Sequence, residues 1–249
     1  MKLHFQHNTG LGYQNIIDET FASVKYTGLD VLRLTNGECY LGNSNDYEMV
    51  LVLIKGQADI TVDHTAWNGI GNRGNVFEGP ATAVYVPIQT DFSITESEGK
   101  HLEIALCRVK ANKKYDPFIV TPKNVEVHHR GSDTWKREVH DIIPNDDSRT
   151  QRIAIGETFT SSGSWASYPP HKKEPKDTAT LQEEELHFFQ VDREEGFGLQ
   201  LMYTDDQQFN HAFMVRDGDA VILYSGNHPV CAAGGYRIYY LWFTGGPIN

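Results

Sequence analysis

Short apolar segments separated by turn residues recur along the whole chain, and this pattern constrains the fold more than any other feature. The run Met49–Ile54 is continuously apolar, and Gln57–Val62 alternates between apolar and polar residues. Segments of this length, separated by Gly, Pro, Asn and Asp, are typical of β-sandwiches and barrels. No segment has the sustained 3.6-residue apolar period of an amphipathic helix. The sequence therefore predicts an all-β protein with few, short helices.

The same order of strands occurs twice. Further predicted strands of the first half are Asp30–Leu34, Asn75–Phe77, Ala83–Pro87 and Leu102–Cys107. Those of the second half are Arg152–Thr160, Leu186–Val191, Leu199–Tyr203, His211–Val215, Ala220–Leu223 and Tyr236–Phe243. A polar stretch rich in charges and prolines lies between the two sets. We predict two tandem barrels: residues 1–115 form the first, 116–147 a connector, and 148–249 the second.

Charge and composition argue against several classes of protein. The formal net charge is −11, with 33 acidic against 22 basic residues, so the surface should repel phosphate backbones and nucleic acid is not an expected partner. No apolar run approaches the roughly 18 residues of a membrane span, and the start lacks the apolar core of a signal peptide. The 3 cysteines are widely spaced, which favours reduced thiols. We expect a cytoplasmic protein without a membrane partner.

Candidate metal ligands lie in the second half. His171 follows two prolines that restrict the backbone, and His228 follows Gly226, where the chain can turn tightly. Glu185 and His187 are two residues apart in a predicted strand, so they share a face. Neutral imidazole and carboxylate ligands together suit Zn, Mn or Fe. The second barrel is therefore predicted to hold a divalent metal.

The first half lacks this set of residues. Glu48 is interpreted as the counterpart of the carboxylate at Glu185, but no His occurs in Gly37–Asn43 or in Pro87–Thr90. We expect the first barrel to bind no metal and to be structural or an oligomer surface.

Seven segments carry a resemblance to a known family: Tyr26–Leu34, Gly69–Pro80, Val84–Pro87, Trp165–Lys172, Val215–Asp219, Asn227–Val230 and Tyr239–Leu241. In their order and content the chain resembles the 5-deoxy-glucuronate isomerases of inositol catabolism, a two-cupin family related to uronate isomerases. The resemblance spans nearly the whole chain. It implies a bicupin fold of two jelly-roll barrels and an aldose–ketose isomerase that converts 5-deoxy-glucuronate to 5-dehydro-2-deoxy-gluconate. A small sugar acid would be its partner, and the protein is expected to be a homo-oligomer.

The resemblance also implies a set of ligands, and the chain departs from it at one position. The family pattern places two His separated by one residue, then a Glu, then a His; carried over, these are His171, the position of Lys173, Glu185 and His228. A protonated lysine has no lone pair and is repelled by a divalent cation.

Three outcomes of this departure remain open. His187 supplies the missing nitrogen; or three ligands and water hold a weaker metal; or the metal is lost. In the last case the chain is a catalytically altered or inactive paralogue that binds a sugar acid, and Lys173 contacts the substrate carboxylate or serves as a base.

Lys173 is joined by three further candidate catalytic residues, Tyr203, Arg216 and Tyr239. A Tyr on a barrel strand is usually part of the core, and Arg216 precedes Asp217–Gly218, where it would equally stabilise a turn. In the connector, a solvated histidine is the default interpretation; His140 differs because Arg137–His140 resembles a segment of the family.

Overall fold

The computed structural model describes residues 2–6, 9–20, 24–167, 172–173, 183–223 and 226–246. The strands of the first part of the chain are β1 (His4–Phe5), β2 (Gly12–Ile17), β3 (Thr27–Thr35), β4 (Cys39–Asn43), β5 (Tyr47–Lys55), β6 (Ala58–Val62), β7 (Thr65–Ile70), β8 (Ala83–Val86), β9 (Asp91–Glu96) and β10 (His101–Lys110). Those of the second part are β11 (Phe118–Val120), β12 (Glu126–Arg130), β13 (Arg137–Ile143), β14 (Ala154–Thr160), β15 (Trp165–Ala166), β16 (Lys172–Lys173), β17 (Glu184–Val191), β18 (Gly198–Tyr203), β19 (Asn210–Val215), β20 (Ala220–Leu223), β21 (Gly226–Asn227), β22 (Val230–Ala232) and β23 (Ile238–Gly245).

Helical structure in the described residues is limited to two single 3₁₀ turns, Val76–Glu78 and Asp133–Trp135. The predicted strand Asn75–Phe77 is therefore wrong, because the Asn75 side chain accepts the Phe77 N–H and caps the first of these turns. None of the helices found there is long and apolar enough to cross a membrane. The all-β prediction is therefore confirmed.

The first half is a sandwich of two antiparallel sheets, ordered β11-β8-β5-β10-β3-β2 and β4-β9-β6-β7. Its central strand β5 is buried on both faces, which explains the continuous apolar run in the sequence. Met49, Leu51 and Leu53 belong to the core between the two sheets. Val50 and Val52 lie on the opposite face, in a core that continues into the second half.

The second half repeats this architecture. Its large sheet has the order β1-β20-β17-β23-β14-β13-β12, and the facing sheet is β15-β22-β18-β21-β16, with β19 added to β18. The large sheets of the two halves pack against each other, since Leu29 and Val31 of β3 share one apolar cluster with Leu186 and Phe188 of β17. This packing fixes one face of β17 against the first half and leaves the other face to the interior of the second.

Strand pairing crosses the predicted boundaries. β1 pairs with β20 of the second half. Within the segment 116–147, predicted as a connector, β11 pairs with β8 of the first half, and β12 and β13 extend the large sheet of the second. β12 is mostly exposed, so its charged composition resembles that of a loop. The segment therefore builds the sheets of both halves as well as joining them.

Candidate active site

Strand β17 carries Glu185 and His187 into the interior of the second half. Its residue Glu184 faces the first half, where its carboxylate accepts hydrogen bonds from the backbone N–H groups of Tyr26 and Thr27, at 3.0 Å each. Because successive residues of a strand point to opposite faces, Glu185 and His187 face inward. The predicted sharing of one face by these two side chains is confirmed by the 3.0 Å separation of His187 Nε2 and Glu185 Oε1.

The tautomer of His187 follows from its other neighbour. His187 Nδ1 lies 2.9 Å from Gln200 Oε1. The Gln200 amide nitrogen donates to the backbone carbonyls of Leu201 and His228, at 2.9 Å each, so its oxygen must be the atom that faces the ring. We therefore assign a proton to Nδ1, which donates to Gln200 Oε1, while Nε2 faces the Glu185 carboxylate at hydrogen-bond distance.

The spacing of these two groups fits the ligands of a metal ion. Metal–donor bonds of about 2.1 Å at right angles place two donor atoms roughly 3 Å apart, which is the separation of His187 Nε2 and Glu185 Oε1. The same 3.0 Å separation is a hydrogen-bond distance, and a divalent ion bound by both atoms would take the place of the proton between them. The chemistry of the two donors therefore fits a divalent ion.

His228 lies in the same interior. Its side chain is buried, its Nδ1 is 3.2 Å from the carbonyl oxygen of Gly226, and its ring centroid is 6.3 Å from that of His187. In metal-binding histidines one ring nitrogen usually donates a hydrogen bond to a backbone carbonyl, because this bond orients the other nitrogen towards the ion. Across the described ranges, no three His, Cys, Asp or Glu side chains meet as a metal-binding group. The structure thus brings Glu185 and His187 to ligand spacing and places His228 further away.

Two other predicted residues belong to strands beside His228. The backbone of Lys173, in β16, pairs with Gly226 of β21. Tyr203 ends β18, pairs with Asn227 and is half-buried. His171 lies outside the described residues. The strand order therefore brings Lys173 and Tyr203 next to the turn that carries His228.

Tyr239 and Arg216, both predicted as polar groups of the pocket, lie elsewhere. Tyr239 is on the opposite face of β23, fully buried, and donates its hydroxyl proton to Glu157 Oε1 at 2.9 Å. Arg216 is exposed at a turn, where its backbone N–H donates to Asp219 Oδ2 at 3.0 Å. Alternation along β23 excludes the first from the pocket, and the turn excludes the second.

Two residues of the pocket were missed from the sequence. Tyr240 stacks on the His187 ring, with centroids 4.5 Å apart and planes inclined by 28°. Burial raises the pKa of Tyr240, so its phenol stays protonated. Gln200 occupies an inward position of β18, between the buried Gly198 and Met202. An amide at such a position is the sequence signal that could have identified it, since buried polar groups need partners.

A second buried polar cluster joins the two halves. Arg73 of the first half donates to Glu157 Oε1 of β14 at 2.7 Å, and both side chains are almost fully buried. His140 lies behind them, with Nδ1 3.6 Å from Glu157 Oε2 and Nε2 2.6 Å from Glu138 Oε1. The default interpretation of His140 as solvated is therefore wrong, because β13 is part of the sheet and this ring faces the interface.

The charges of this cluster stabilise one another. Burial raises the pKa of Glu157, but the Arg73 guanidinium and the hydrogen bonds of His140 and Tyr239 together outweigh burial, and the net pKa is lowered. Burial lowers the pKa of His140, and the Glu157 and Glu138 carboxylates reverse this and raise it. We conclude that Glu157 is ionised and that Tyr239, whose pKa is raised by burial and by Glu157, remains a neutral donor.

Two antiparallel double-sheet halves, with an inward-facing carboxylate–imidazole pair in the second, define the chain as a two-domain cupin. A model of the KduI/IolB family matches residues 2–248, and the chain belongs to this family. Among curated relatives, a 5-deoxy-glucuronate isomerase of Geobacillus thermodenitrificans is 35% identical over 92% of this chain and 83% of its own length. A 5-deoxy-glucuronate isomerase of Bacillus subtilis strain 168 is 32% identical over 92% of this chain and 84% of its own.

Solved structures confirm the bicupin fold. An IolB-like protein from Salmonella typhimurium superimposes with a TM-score of 0.92 at 31% identity, covering 100% of this chain and 94% of the other. An oxalate decarboxylase of Lactobacillus farciminis superimposes with a TM-score of 0.70 at 12% identity, covering 100% and 87%. The first likeness extends to the sequence, and the second concerns the fold alone.

Proposed function

We propose that the chain is a metal-assisted isomerase that interconverts the aldose and ketose forms of a deoxy-uronic acid, with 5-deoxy-glucuronate as substrate and 5-dehydro-2-deoxy-gluconate as product. Support comes from relatives that are named 5-deoxy-glucuronate isomerase and match over most of both chains. The observation that carries the proposal is the inward-facing pair Glu185–His187, with donor atoms 3.0 Å apart.

Glu185, His187 and His228 would hold a divalent ion such as Zn, Mn or Fe. His187 would supply the nitrogen that the family pattern places at Lys173, because its Nε2 already lies 3.0 Å from Glu185 Oε1. Once bound, such an ion supplies Lewis acidity to a sugar carbonyl oxygen.

The reaction moves one proton from a hydroxyl-bearing carbon to the adjacent carbonyl carbon and one from the hydroxyl to the carbonyl oxygen. For this, the protein must keep water out and hold its donor groups still. Tyr240 covers one face of the His187 ring, and Gln200 fixes its orientation. Lys173 and Tyr203, on the strands beside His228, are the proposed contacts for the substrate carboxylate and the migrating proton.

The decisive experiment combines elemental analysis with an assay of 5-deoxy-glucuronate conversion by NMR, on protein purified without added metal. We expect stoichiometric Zn, Mn or Fe and turnover. His187→Phe should lose both, whereas His211→Phe, a change of an exposed ring on β19, should retain both. Unchanged metal in His187→Phe would overturn the ligand role. A wild-type protein that binds a sugar acid without metal and without turnover would replace the isomerase by a non-catalytic sugar-acid binder.

Assembly into a homo-oligomer also remains a proposal. It is tested by light scattering on the purified chain, where a mass of 28.1 kDa would contradict it.

A further inference from the structure

A basic cleft opens between the two halves, away from the candidate active site. It has a volume of about 450 Å³ and is lined by Phe77 of the first half and by residues of β12, β13 and β14 in the second. Phe159 lines it from β14, whose adjacent residue Thr158 pairs with Tyr240 inside the second half. Since successive strand residues face opposite sides, the cleft lies across the sheet from the His187 pocket.

The charge of the cleft is opposite to that of the protein. Four cationic side chains line it, Arg130, Lys136, Arg137 and Arg237, against one carboxylate, Glu138. That carboxylate is already engaged by His140, at 2.6 Å, and by His129, at 3.5 Å. In a chain of net charge −11 the cleft is therefore a local region of positive charge, which attracts small anions.

The cations of the cleft differ in whether a described carboxylate pairs with them. Arg237 is paired with Asp192 at 2.9 Å. Within the part of the chain that the structure describes, neither Arg130 nor Lys136 makes a salt bridge. Their backbones flank the turn of the β12–β13 hairpin, where Arg130 ends β12 and Lys136 directly precedes β13.

The hairpin that holds them is constrained. Gly131 has a φ of +83°, and a Cβ atom there would clash with the carbonyl oxygen of Trp135. Trp135 in turn packs on Trp165 of β15, with ring centroids 5.8 Å apart. The two unpaired cations are therefore presented by a fixed turn, so binding would cost little ordering of the backbone.

The floor of the cleft is apolar. Val76, Phe77 and Phe159 line it, and the two Phe rings meet edge to face at 6.3 Å. The Arg237 guanidinium lies over Phe77 at 4.6 Å. The aromatic floor suits the carbon skeleton of a ligand, and the cationic side chains suit its terminal carboxylate or phosphate. The volume of the cleft lies in the range of small-molecule sites.

We propose that this cleft is a second ligand site, which binds a small organic anion between the two halves. Arg130 and Lys136 bind the acidic group, and Phe77 and Phe159 pack against the carbon skeleton. The site is independent of the proposed isomerase pocket and of any metal.

The test is isothermal titration calorimetry with glucose 6-phosphate and with succinate, and with D-glucose as the neutral probe. We expect the wild-type protein to bind at least one of the two anions and not glucose. Binding of glucose 6-phosphate alone would identify a phosphate as the preferred acidic group, and binding of succinate alone would identify a carboxylate. Arg130→Gln/Lys136→Gln should weaken this binding about tenfold or more, since charge-assisted hydrogen bonds are lost. Both side chains are exposed, so the variant should fold.

Two controls make the result specific. Lys113→Gln/Lys114→Gln removes the same charge from exposed residues outside the cleft and should leave binding unchanged. His187→Phe should also leave it unchanged. The proposal is overturned if neither anion binds, if the Lys113/Lys114 variant weakens binding as much, or if His187→Phe abolishes it. A change in oligomeric mass in the Arg130/Lys136 variant would equally overturn it, by showing a subunit interface.

Discussion

Glu48 of the first half and Glu184 of the second make the same contact in opposite directions across the interface between the halves. The Glu48 carboxylate accepts the backbone N–H groups of residues 151–153 at 2.6–2.9 Å. The Glu184 carboxylate accepts those of residues 25–27 at 2.6–3.0 Å. Residues 151–153 directly precede β14 of the second half, and residues 25–27 lead into β3 of the first half. The two carboxylates therefore hold the start of a long strand of the opposite half in place.

This relationship corrects the alignment of the halves by one residue. If Glu48 corresponds to Glu184, then Met49 corresponds to Glu185, and Met49 lies in the apolar core of the first half. The interpretation of Glu48 as the counterpart of Glu185 is therefore wrong. The run Glu183–Glu185 offered three carboxylates in succession, and only the contact across the interface distinguishes between them.

Glu48→Gln should destabilise the protein by about 2–4 kcal/mol, because charge-assisted hydrogen bonds to three N–H groups are weakened in a buried site. Glu48 is fully buried whereas Glu184 is partly exposed, so Glu184→Gln should cost less. The measurement is urea unfolding, with Glu194→Gln on the exposed surface as control. Equal losses in Glu184→Gln and Glu48→Gln would contradict the role of burial.

Arg73→Met should cost about 3–5 kcal/mol, because it leaves the Glu157 charge buried without its guanidinium. Arg73→Met/Glu157→Leu should lose less than the sum of the two single variants, since the second change removes that charge. Urea unfolding of the three variants measures the coupling. The control is Arg149→Met, whose pair with Asp147 is more exposed and should cost below about 1 kcal/mol. Additive losses would show that Arg73 and Glu157 act independently.

The stability of the protein should depend on pH through His140. Its pKa is raised above the ordinary 6.5 by the Glu157 and Glu138 carboxylates, which outweigh its burial. The folded state therefore keeps the proton to higher pH than the unfolded chain. Its contribution to the unfolding free energy is complete below pH 6.5 and is lost as pH rises through the folded pKa.

We expect the wild-type protein to lose stability relative to His140→Gln as pH rises above 6.5, measured by urea unfolding at a series of pH values. His64→Gln, at a ring that is 96% exposed, should leave the wild-type dependence unchanged. A constant difference between wild type and His140→Gln across this range would contradict the assigned shift.

The sequence predicts the all-β fold because a strand that is buried on both faces, such as β5, consists of a continuous run of apolar residues. The sequence also predicts that Glu185 and His187 lie on the same face of β17, because successive side chains of a strand point to opposite faces. The polar residues of β12 and β13 resemble those of a loop and therefore predict a connector. Only the pairing of β12 with β13, and of β13 with β14, identifies them as strands. Alternation also fixes that Tyr239 and Tyr240 face opposite sides, but which one faces His187 depends on the register of β23 with β17. Register is set by contacts distant in sequence, and the pattern of one strand does not contain it.

The substitution at Lys173 gives a test of how the metal pocket is completed. The backbone of this residue lies opposite Gly226, two residues before His228. A histidine there would add the nitrogen of the family pattern. If His187 has taken over that function, Lys173→His should restore metal content to His187→Phe, and in the wild-type background it should raise metal affinity by adding a ligand.

Lys172→His, one position away in the same strand, is the matched control and should do neither. Elemental analysis after dialysis against a graded series of chelator concentrations measures both effects. Failure of Lys173→His to restore metal would mean that Glu185 and His187 form a hydrogen-bonded pair of the core, and that any ion is held without the position of Lys173.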